Sequence, residues 1–338
     1  MQREKLNCAL LKMLNIEIMD FEYSETDLQG GTIGAVKLVS GTAEAAVNNK
    51  IPFKLVYKRH EKFERYGDPG SWRREHDLYS TDLQAAFDGS FRMPKCYHTE
   101  ITDKESHIFM EYVEGISGSD LTIGMFEQAA EAIGQFQGMV YTQNPAQLKN
   151  ELNLGTAGFL RKDYMQWKPE TSEYRYVRSD SGDIPVHLKE MIIDMDNRAE
   201  ELFGYIEELP KVLCHRDYWH ENIIITDNGV VAIDWDTAGW GYLGEDIASL
   251  IIDDTNSDDQ VELYKRLIPA YYKGLAKHMR FSDLKHNYIH EIMLIKEGYR
   301  NISRYINWEK NRLDWELAER GDFVRRLQNI FDMKKINV

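Results

Sequence analysis

The stretch Val212-Leu-Cys-His-Arg-Asp-Tyr-Trp-His-Glu-Asn-Ile-Ile-Ile-Thr-Asp-Asn-Gly-Val-Val-Ala-Ile-Asp-Trp-Asp236 decides the reading of this chain. It gathers a candidate base (Asp217), a side-chain amide oxygen (Asn222) and a second carboxylate (Asp234) around one short hairpin. Asn222-Ile-Ile-Ile-Thr226 and Val230-Val-Ala-Ile-Asp234 read as its strands. They are joined through Asn228-Gly229, the dipeptide that a type I′ turn prefers. With those two residues at the centre of the turn, Asn222 lies across from Trp235 and diagonal to Asp234. Hard oxygen donors held together in this way suit Mg2+, which shares phosphate oxygens of a nucleotide. Asp217, in the loop that feeds the first strand, faces the same end.

Outward from the hairpin, the character of the chain changes near residue 118. Before it, residues 1–15 read as a short amphipathic helix. Gly30-Gly-Thr-Ile-Gly34 separates a strand-like segment from Ala35-Val-Lys-Leu-Val39. Pro52-Phe-Lys-Leu-Val-Tyr-Lys-Arg59 is a further strand, rich in β-branched and aromatic residues. After the turn Gly67-Asp-Pro-Gly70, Ser71 is placed to cap a helix running to about Phe87. His107 to Val113 reads as a buried strand. Beyond Gly118, helical periodicity covers 122–141, 187–208, 258–278, 283–307 and 311–330, and the hairpin is the only clear β signal. The best cut falls at 113–119, giving a strand-rich N-terminal lobe, 1–113, and a helical lobe, 114–338.

Composition narrows the function classes. At 338 residues the chain has room for two lobes. A net charge of −15 argues against nucleic acid, which calls for a basic patch. The same charge is compatible with a cationic small molecule, although simple solubility is the commoner reason for it. Cys8, Cys96 and Cys214 are odd in number and widely spaced, so neither a disulfide framework nor a zinc site is indicated. The N-terminus lacks the apolar core of a signal peptide, and no run of about 18 apolar residues exists. The expectation is a cytoplasmic protein with no membrane partner.

The pair of motifs His215-Arg-Asp217-x4-Asn222 and Ile233-Asp-Trp-Asp236 resembles the catalytic and metal loops of the aminoglycoside phosphotransferase and choline kinase-like family. The resemblance rests on about 25 residues and implies an α+β, bilobal protein-kinase-like fold, with a small antiparallel β-rich N-lobe and a mainly helical C-lobe. It implies ATP and Mg2+ as cofactors and a hydroxyl on a small molecule as acceptor. Asp217 would orient or deprotonate that hydroxyl, Asn222 and Asp234 would hold Mg2+, and His215 would brace the loop. Asp246, in Gly244-Glu-Asp-Ile-Ala248, matches the family's downstream aspartate and is expected to cap the following helix. Protein kinases fit less well. Asp234 is followed by Trp-Asp where they carry Phe-Gly, Asp217 lacks the lysine two residues on, and no Ala-Pro-Glu segment follows.

The N-terminal part can be tested against that expectation. On the helix from Ser71, Glu75 falls in a stripe with Trp72, Tyr79, Leu83 and Ala86, which turns a charge inward. A buried charge is costly without a partner. Lys58, near the end of an apolar strand, is the economical one and resembles the family's nucleotide-binding lysine; Lys54 is the other candidate. Backbone at Gly31, Thr32 and Gly34 would approach the ATP phosphates, although a plain hairpin turn would look the same. In Phe109-Met-Glu-Tyr-Val-Glu-Gly115, similar to the family's interlobe hinge, the carbonyl of Glu111 and the amide of Val113 would read adenine.

One departure stands out. Ile133-Gly-Gln-Phe-Gln137 occupies the place of the family's frequent Leu-x-x-Leu-His. Trp235, Trp240 and Tyr242 read as core aromatics before a cation-binding pocket, and Asp253-Asp254 with Asp258-Asp259 as a solvated loop. Aminoglycoside, amino alcohol and sugar acceptors all stay open. So do an ATP-binding pseudokinase acting through partners and a protein kinase.

Overall fold

The computed structural model describes residues 3–28, 34–45, 49–65, 68–81, 83, 87, 89–143, 158–168, 171–179, 185–280, 289–298, 306–307 and 317–336. The described residues divide into two compact units. One comprises Met1–Ser117 and Asn222–Ala238, the other Gly118–Ala146, Leu154–Glu221 and Gly239–Val338.

In the first unit, alternation of side chains sets the sheet. Phe53, Leu55 and Tyr57 on strand β3 (Asn49–Glu61) are buried at a spacing of two, as one face of a pleated strand requires. β3 pairs with β2 (Ala35–Ala45), which pairs with β1 (Ile18–Asp27). On its other side come β6 (Glu105–Glu111) and β5 (Cys96–Ile101), all antiparallel, in the order β1-β2-β3-β6-β5. Helix α1 (Arg3–Leu14) lays Leu6, Ala9 and Leu10 into one apolar cluster with Phe21, Val39, Phe53, Leu55 and Phe109. Each fully buried leucine there contributes roughly 1.5–3 kcal/mol.

The helix expected from Ser71 to Phe87 is shorter. A 3-10 turn, Ser71–Arg73, leads into α2 (Arg74–Tyr79). Ser71 does not cap it: its hydroxyl donates back to the carbonyl of Asp68 at 2.7 Å. After Tyr79 the hydroxyls of Ser80 and Thr81 bond to the carbonyls of His76 and Leu78, so side chains compete for groups that a longer helix would use. The stripe still turns inward, with Trp72, Glu75, Tyr79 and Leu83 all buried; Ala86 lies outside the described residues.

The hairpin forms in a different register. β8 (Ile223–Thr226) pairs with β9 (Gly229–Ala232) so that Thr226 faces Gly229, leaving Asp227-Asn228 at the tip. Neither tip residue has a positive φ, so the turn is not type I′. Two contacts explain the shift. Thr226 Oγ1 accepts the Asn228 amide and donates to the Gly229 carbonyl. Gly229, at φ +131, is pressed so closely against the Ser90 carbonyl that a Cβ would stand 2.7 Å from it. Asn222 therefore faces Ile233, whose amide donates to its carbonyl at 2.9 Å, and Asp234 is the next residue. The hairpin groups with the first unit and not with the helical part expected from sequence. β9 also pairs in parallel with β4 (Phe91–Arg92), and Ile225 bridges Ile116.

In the second unit, α3 (Ile123–Gln143) has an apolar stripe of Ala129, Ala130, Ile133, Phe136 and Val140. Among the described residues α4 (Phe159–Trp167), α5 (Thr171–Arg178), α6 (Val186–Ile206), α7 (Glu245–Ile252) and α8 (Ser257–Leu275) come next. α9 (Ile289–Met293) runs into a π-helical turn, Leu294–Gly298, and α10 (Leu317–Met333) ends the described helices. α8 packs along α3. The sequence reading missed one strand pair here: β7 (Lys211–Cys214) with β10 (Gly239–Tyr242). Each is four residues long, and Gly239 and Gly241 erase the alternation that would have marked β10. No described helix is long and apolar enough to cross a membrane.

Candidate active site

Strand β3 delivers Lys58 to a buried position, and the first turn of α2 delivers Glu75. Lys58 Nζ donates to Glu75 Oε2 and to Asp234 Oδ1, each at 2.7 Å. The pairing read from the helical stripe is therefore present, and Asp234 is joined to it. Lys54, the other candidate, points elsewhere, pairing with Glu114 at 3.2 Å on the exposed edge. Burial pulls the Lys58 ammonium down, but Asp234, Glu75 and Asp236 together hold it above its ordinary value. Burial lifts the Glu75 carboxyl above the usual carboxylate range, against the opposing pull of Lys58.

Asp234 closes β9 with φ +63 and ψ +63, a left-handed conformation that costs a non-glycine residue on the order of 1 kcal/mol or more. The bend starts the turn Trp235–Thr237 and brings a third carboxylate inward. Asp236 is buried, and its carboxyl is pushed up to about 7, first by burial and then by Asp234. The sequence reading quoted this residue without giving it a role; its spacing of two from Asp234 was the signal. Arg65 reaches it at 3.5 Å. Trp235 is core, fully buried, with its indole N–H donating to the Ala232 carbonyl at 2.7 Å.

The donor set fits a magnesium ion. Among the described residues no three His, Cys, Asp or Glu side chains converge as a metal cage. Magnesium needs no such cage, because it keeps waters and phosphate oxygens and takes one or two carboxylates from the protein. Asp234 supplies one carboxylate, and Asn222, joined to the residue before it across the hairpin, adds an amide oxygen.

Gly31 and Thr32 lie outside the described residues. Gly34, at φ +94, stands at the start of β2, so close to β3 that a Cβ would meet the Arg59 carbonyl at 2.4 Å. Glu111 ends β6 with its carboxylate gripped by both terminal nitrogens of Arg92, at 2.7 and 3.0 Å. Val113, two residues on, is in irregular backbone and half-buried. Its amide makes no backbone hydrogen bond among the described residues.

In the second unit, β7 ends at Cys214 and the chain turns through His215, Arg216 and Asp217. Arg216 has φ +69, a second left-handed non-glycine residue. The turn is held by Asp246. Its Oδ1 accepts the Arg216 amide at 2.7 Å and its Oδ2 the His215 amide at 2.9 Å. Asp246 is therefore not the expected cap of α7, whose first position follows Gly244. The Asp217 amide donates to His215 Nδ1 at 3.3 Å, which places any proton of the neutral ring on Nε2. His215 thus braces the loop through the next carboxylate's own backbone.

The same unit contains a cavity of about 390 Å3. Leu121, Phe126 and Leu263 give its lining apolar side chains, and Asp254, Asp259 and Glu262 give it acidic ones. His220, three residues past Asp217, also lines it. The aspartates read as a solvated loop thus divide: Asp253 pairs with Lys296 at 2.7 Å, and Asp254 faces the cavity.

A profile of the phosphotransferase enzyme family (APH) matches residues 52–281. The chain belongs to the phosphotransferase enzyme family. The matched span runs from β3 through α8 and so contains Lys58, Glu75, Asp217, Asn222 and Asp234. Comparison with curated proteins finds no match. Among solved structures, an amicoumacin kinase in complex with AMP-PNP, Ca2+ and Ami is 14% identical, with TM-score 0.54, over 98% of this chain and 96% of that one. A choline kinase from Cryptosporidium parvum is 15% identical, with TM-score 0.51, over 98% and 95%. A GDP complex of aminoglycoside 2'-phosphotransferase-IIIa is 12% identical, with TM-score 0.51, over 97% and 98%. At such identities the likeness speaks to the fold, which is the α+β, protein-kinase-like one expected for the family.

Proposed function

We propose that this chain transfers the γ-phosphoryl group of ATP, with Mg2+, to a hydroxyl on a small molecule. The observation that carries the reading is Lys58 shared between Glu75 and Asp234 at 2.7 Å each. It is a buried cation on a rigid strand, oriented by one carboxylate and touching a second that is suited to a metal. Phosphoryl transfer depends mainly on positioning and charge neutralisation, and these groups are of the kind it uses.

When bound, Mg-ATP would supply the transferred group and the charge that binds it. Lys58 would take phosphate oxygens, Asp234 and Asn222 would hold the metal, and Glu75 would keep Lys58 in place. Asp217 would orient the acceptor hydroxyl and accept its proton as the new O–P bond forms and the bond to ADP breaks. Backbone groups at Glu111 and Val113 would face adenine, and Gly34 would border the phosphates. The acidic side chains of the cavity in the second unit favour an acceptor that carries an amine, with its apolar part against Leu121, Phe126 and Leu263.

The test is ATP turnover against a panel of hydroxylated amines, sugars and neutral alcohols, wild type beside Asp217→Ala, together with thermal melting with and without Mg-ATP. Turnover with an amine-bearing alcohol, reduced about 100-fold or more in Asp217→Ala, supports the proposal. Mg-ATP stabilisation without turnover on any acceptor points to a nucleotide-binding protein acting through partners. Absence of both refutes the reading.

A further inference from the structure

We propose that Gln137, held by Tyr271, is a positioning residue that keeps the loop bearing Asp217 in place through Asp246, with an amide that does not itself titrate. As a role in catalysis this rests on the phosphotransfer reading above. The geometry is a chain of short bonds in which donors and acceptors alternate. Tyr271, on α8, donates its hydroxyl to Gln137 Oε1 at 2.6 Å. That bond decides which way the amide faces. Gln137 Nε2 then points at Asp246 Oδ2, 2.7 Å away. Asp246 in turn accepts the amides of His215 and Arg216. Gln137, Asp246, His215 and Tyr271 are all fully buried, so water cannot replace any of these partners.

The carboxylate needs all three N–H groups. Burial raises the Asp246 carboxyl above its ordinary range, with His215 and the two loop amides opposing. Such donors favour the ionised form of a buried carboxyl, which accepts from them more strongly than the acid would. The loop that it grips contains Arg216 at φ +69, a conformation that relaxes unless its surroundings enforce it. Gln137 thus acts two hydrogen bonds from the backbone of Arg216, the residue before Asp217.

A histidine at this position would also link Tyr271 to Asp246, but it would change charge near neutral pH. The titratable and charged groups around Gln137 would set where. They are Asp246 and Glu245 on α7, Tyr271 on α8, Cys214, His215 and Arg216 on β7 and its loop, and Lys296 on the π-helical turn. The amide neither gains nor loses a proton near neutral pH, so the link that Gln137 makes does not itself titrate there.

The experiment compares wild type with Gln137→Leu, Gln137→His and Tyr271→Phe. In Gln137→Leu the amides of His215 and Arg216 should exchange hydrogen at least about tenfold faster, while those of the β8–β9 hairpin keep their rates. Its kcat should fall by about 100-fold with KM for ATP unchanged. Tyr271→Phe should show the same pattern more weakly. Gln137→His should recover most of kcat, and its ratio to wild type should acquire a one-proton step between about pH 6 and 8. Unchanged exchange at His215 and Arg216 in Gln137→Leu overturns the proposal, as does a Gln137→His ratio that is flat with pH. If wild type turns over no acceptor, the phosphotransfer reading fails, yet the exchange rates still decide whether Gln137 holds the loop.

Discussion

Replacing Lys58 by methionine keeps the length of the side chain and removes the one charge that Glu75 and Asp234 share. The Glu75 side chain is 0% exposed, so its carboxylate would be left buried without its cation. Removing one partner of such a pair costs roughly 3–5 kcal/mol. The contact to Asp234 adds about 1 kcal/mol at most, because 33% of that side chain is exposed and water screens it. The loss should depend on pH with a definite sign. Without the ammonium, the folded-state pKa of Glu75 climbs further above its value in the unfolded chain. Well above that pKa both states are ionised and the full penalty stands. As pH falls through it, the folded state takes up a proton that the unfolded chain does not bind. Stability is then regained at up to about 1.4 kcal/mol per pH unit. Urea unfolding followed by tryptophan fluorescence at pH 8.0 and about pH 5.5 measures this, with Lys58→Met/Glu75→Leu as the control. The double variant should recover most of the loss, since an apolar pair replaces an ionic one. A penalty below about 1 kcal/mol at the higher pH, or one undiminished at the lower, refutes the account of Lys58 as a buried, shared cation.

Three further outcomes follow from the first unit. His60 is buried near Lys58, and its imidazole is pushed down to about 4 by burial first. Its neutral form belongs to the folded state, so wild type should lose up to about 3 kcal/mol as pH falls from 6.5 toward 4, and His60→Leu should flatten that limb in urea titrations. Gly34→Ala should lower stability by about 1–3 kcal/mol, because φ is +94 and the new methyl would meet the Arg59 carbonyl; thermal melts measure it, and a neutral result would mean that β2 shifts freely. Asn222→Ala should raise the Mg2+ concentration for half-maximal turnover by at least about tenfold, and an unchanged Mg2+ requirement would remove Asn222 from the metal site.

The parts of this architecture legible in the sequence are those set by side-chain chemistry at fixed spacing. A glutamate in an apolar helical stripe required a buried cation, and Lys58 is there at 2.7 Å. The hairpin pattern placed Asn222 next to Asp234 even though the register differed, because both sit at its open end. What was not legible depends on contacts between distant segments. Gly229 is claimed by the Ser90 carbonyl, which moves the turn by one position and changes its type. Asp246 looked like a helix cap because its spacing suits one; only the fold brings the His215 and Arg216 amides to it. Ser71 and the helix end at Tyr79 went astray for a similar reason, since local hydroxyl–carbonyl bonds outcompeted propensity. The departure at Gln137 was visible as a substitution, but its partner Tyr271 is 134 residues away.

Arg216 keeps a side chain where a left-handed backbone would favour glycine, and the guanidinium accounts for it. It stacks 4.3 Å over the Phe159 ring, donates to the Trp240 carbonyl at 2.7 Å, and lies so close to Gly239 that a Cβ there would stand 2.4 Å from its Nη1. The two positions are therefore locked in an order. A lineage that trims Arg216 is afterwards free to place alanine or serine at 239, whereas one that enlarges 239 first must displace the arginine and release the turn before Asp217. In related sequences, then, larger residues at 239 should occur only alongside a small residue at 216.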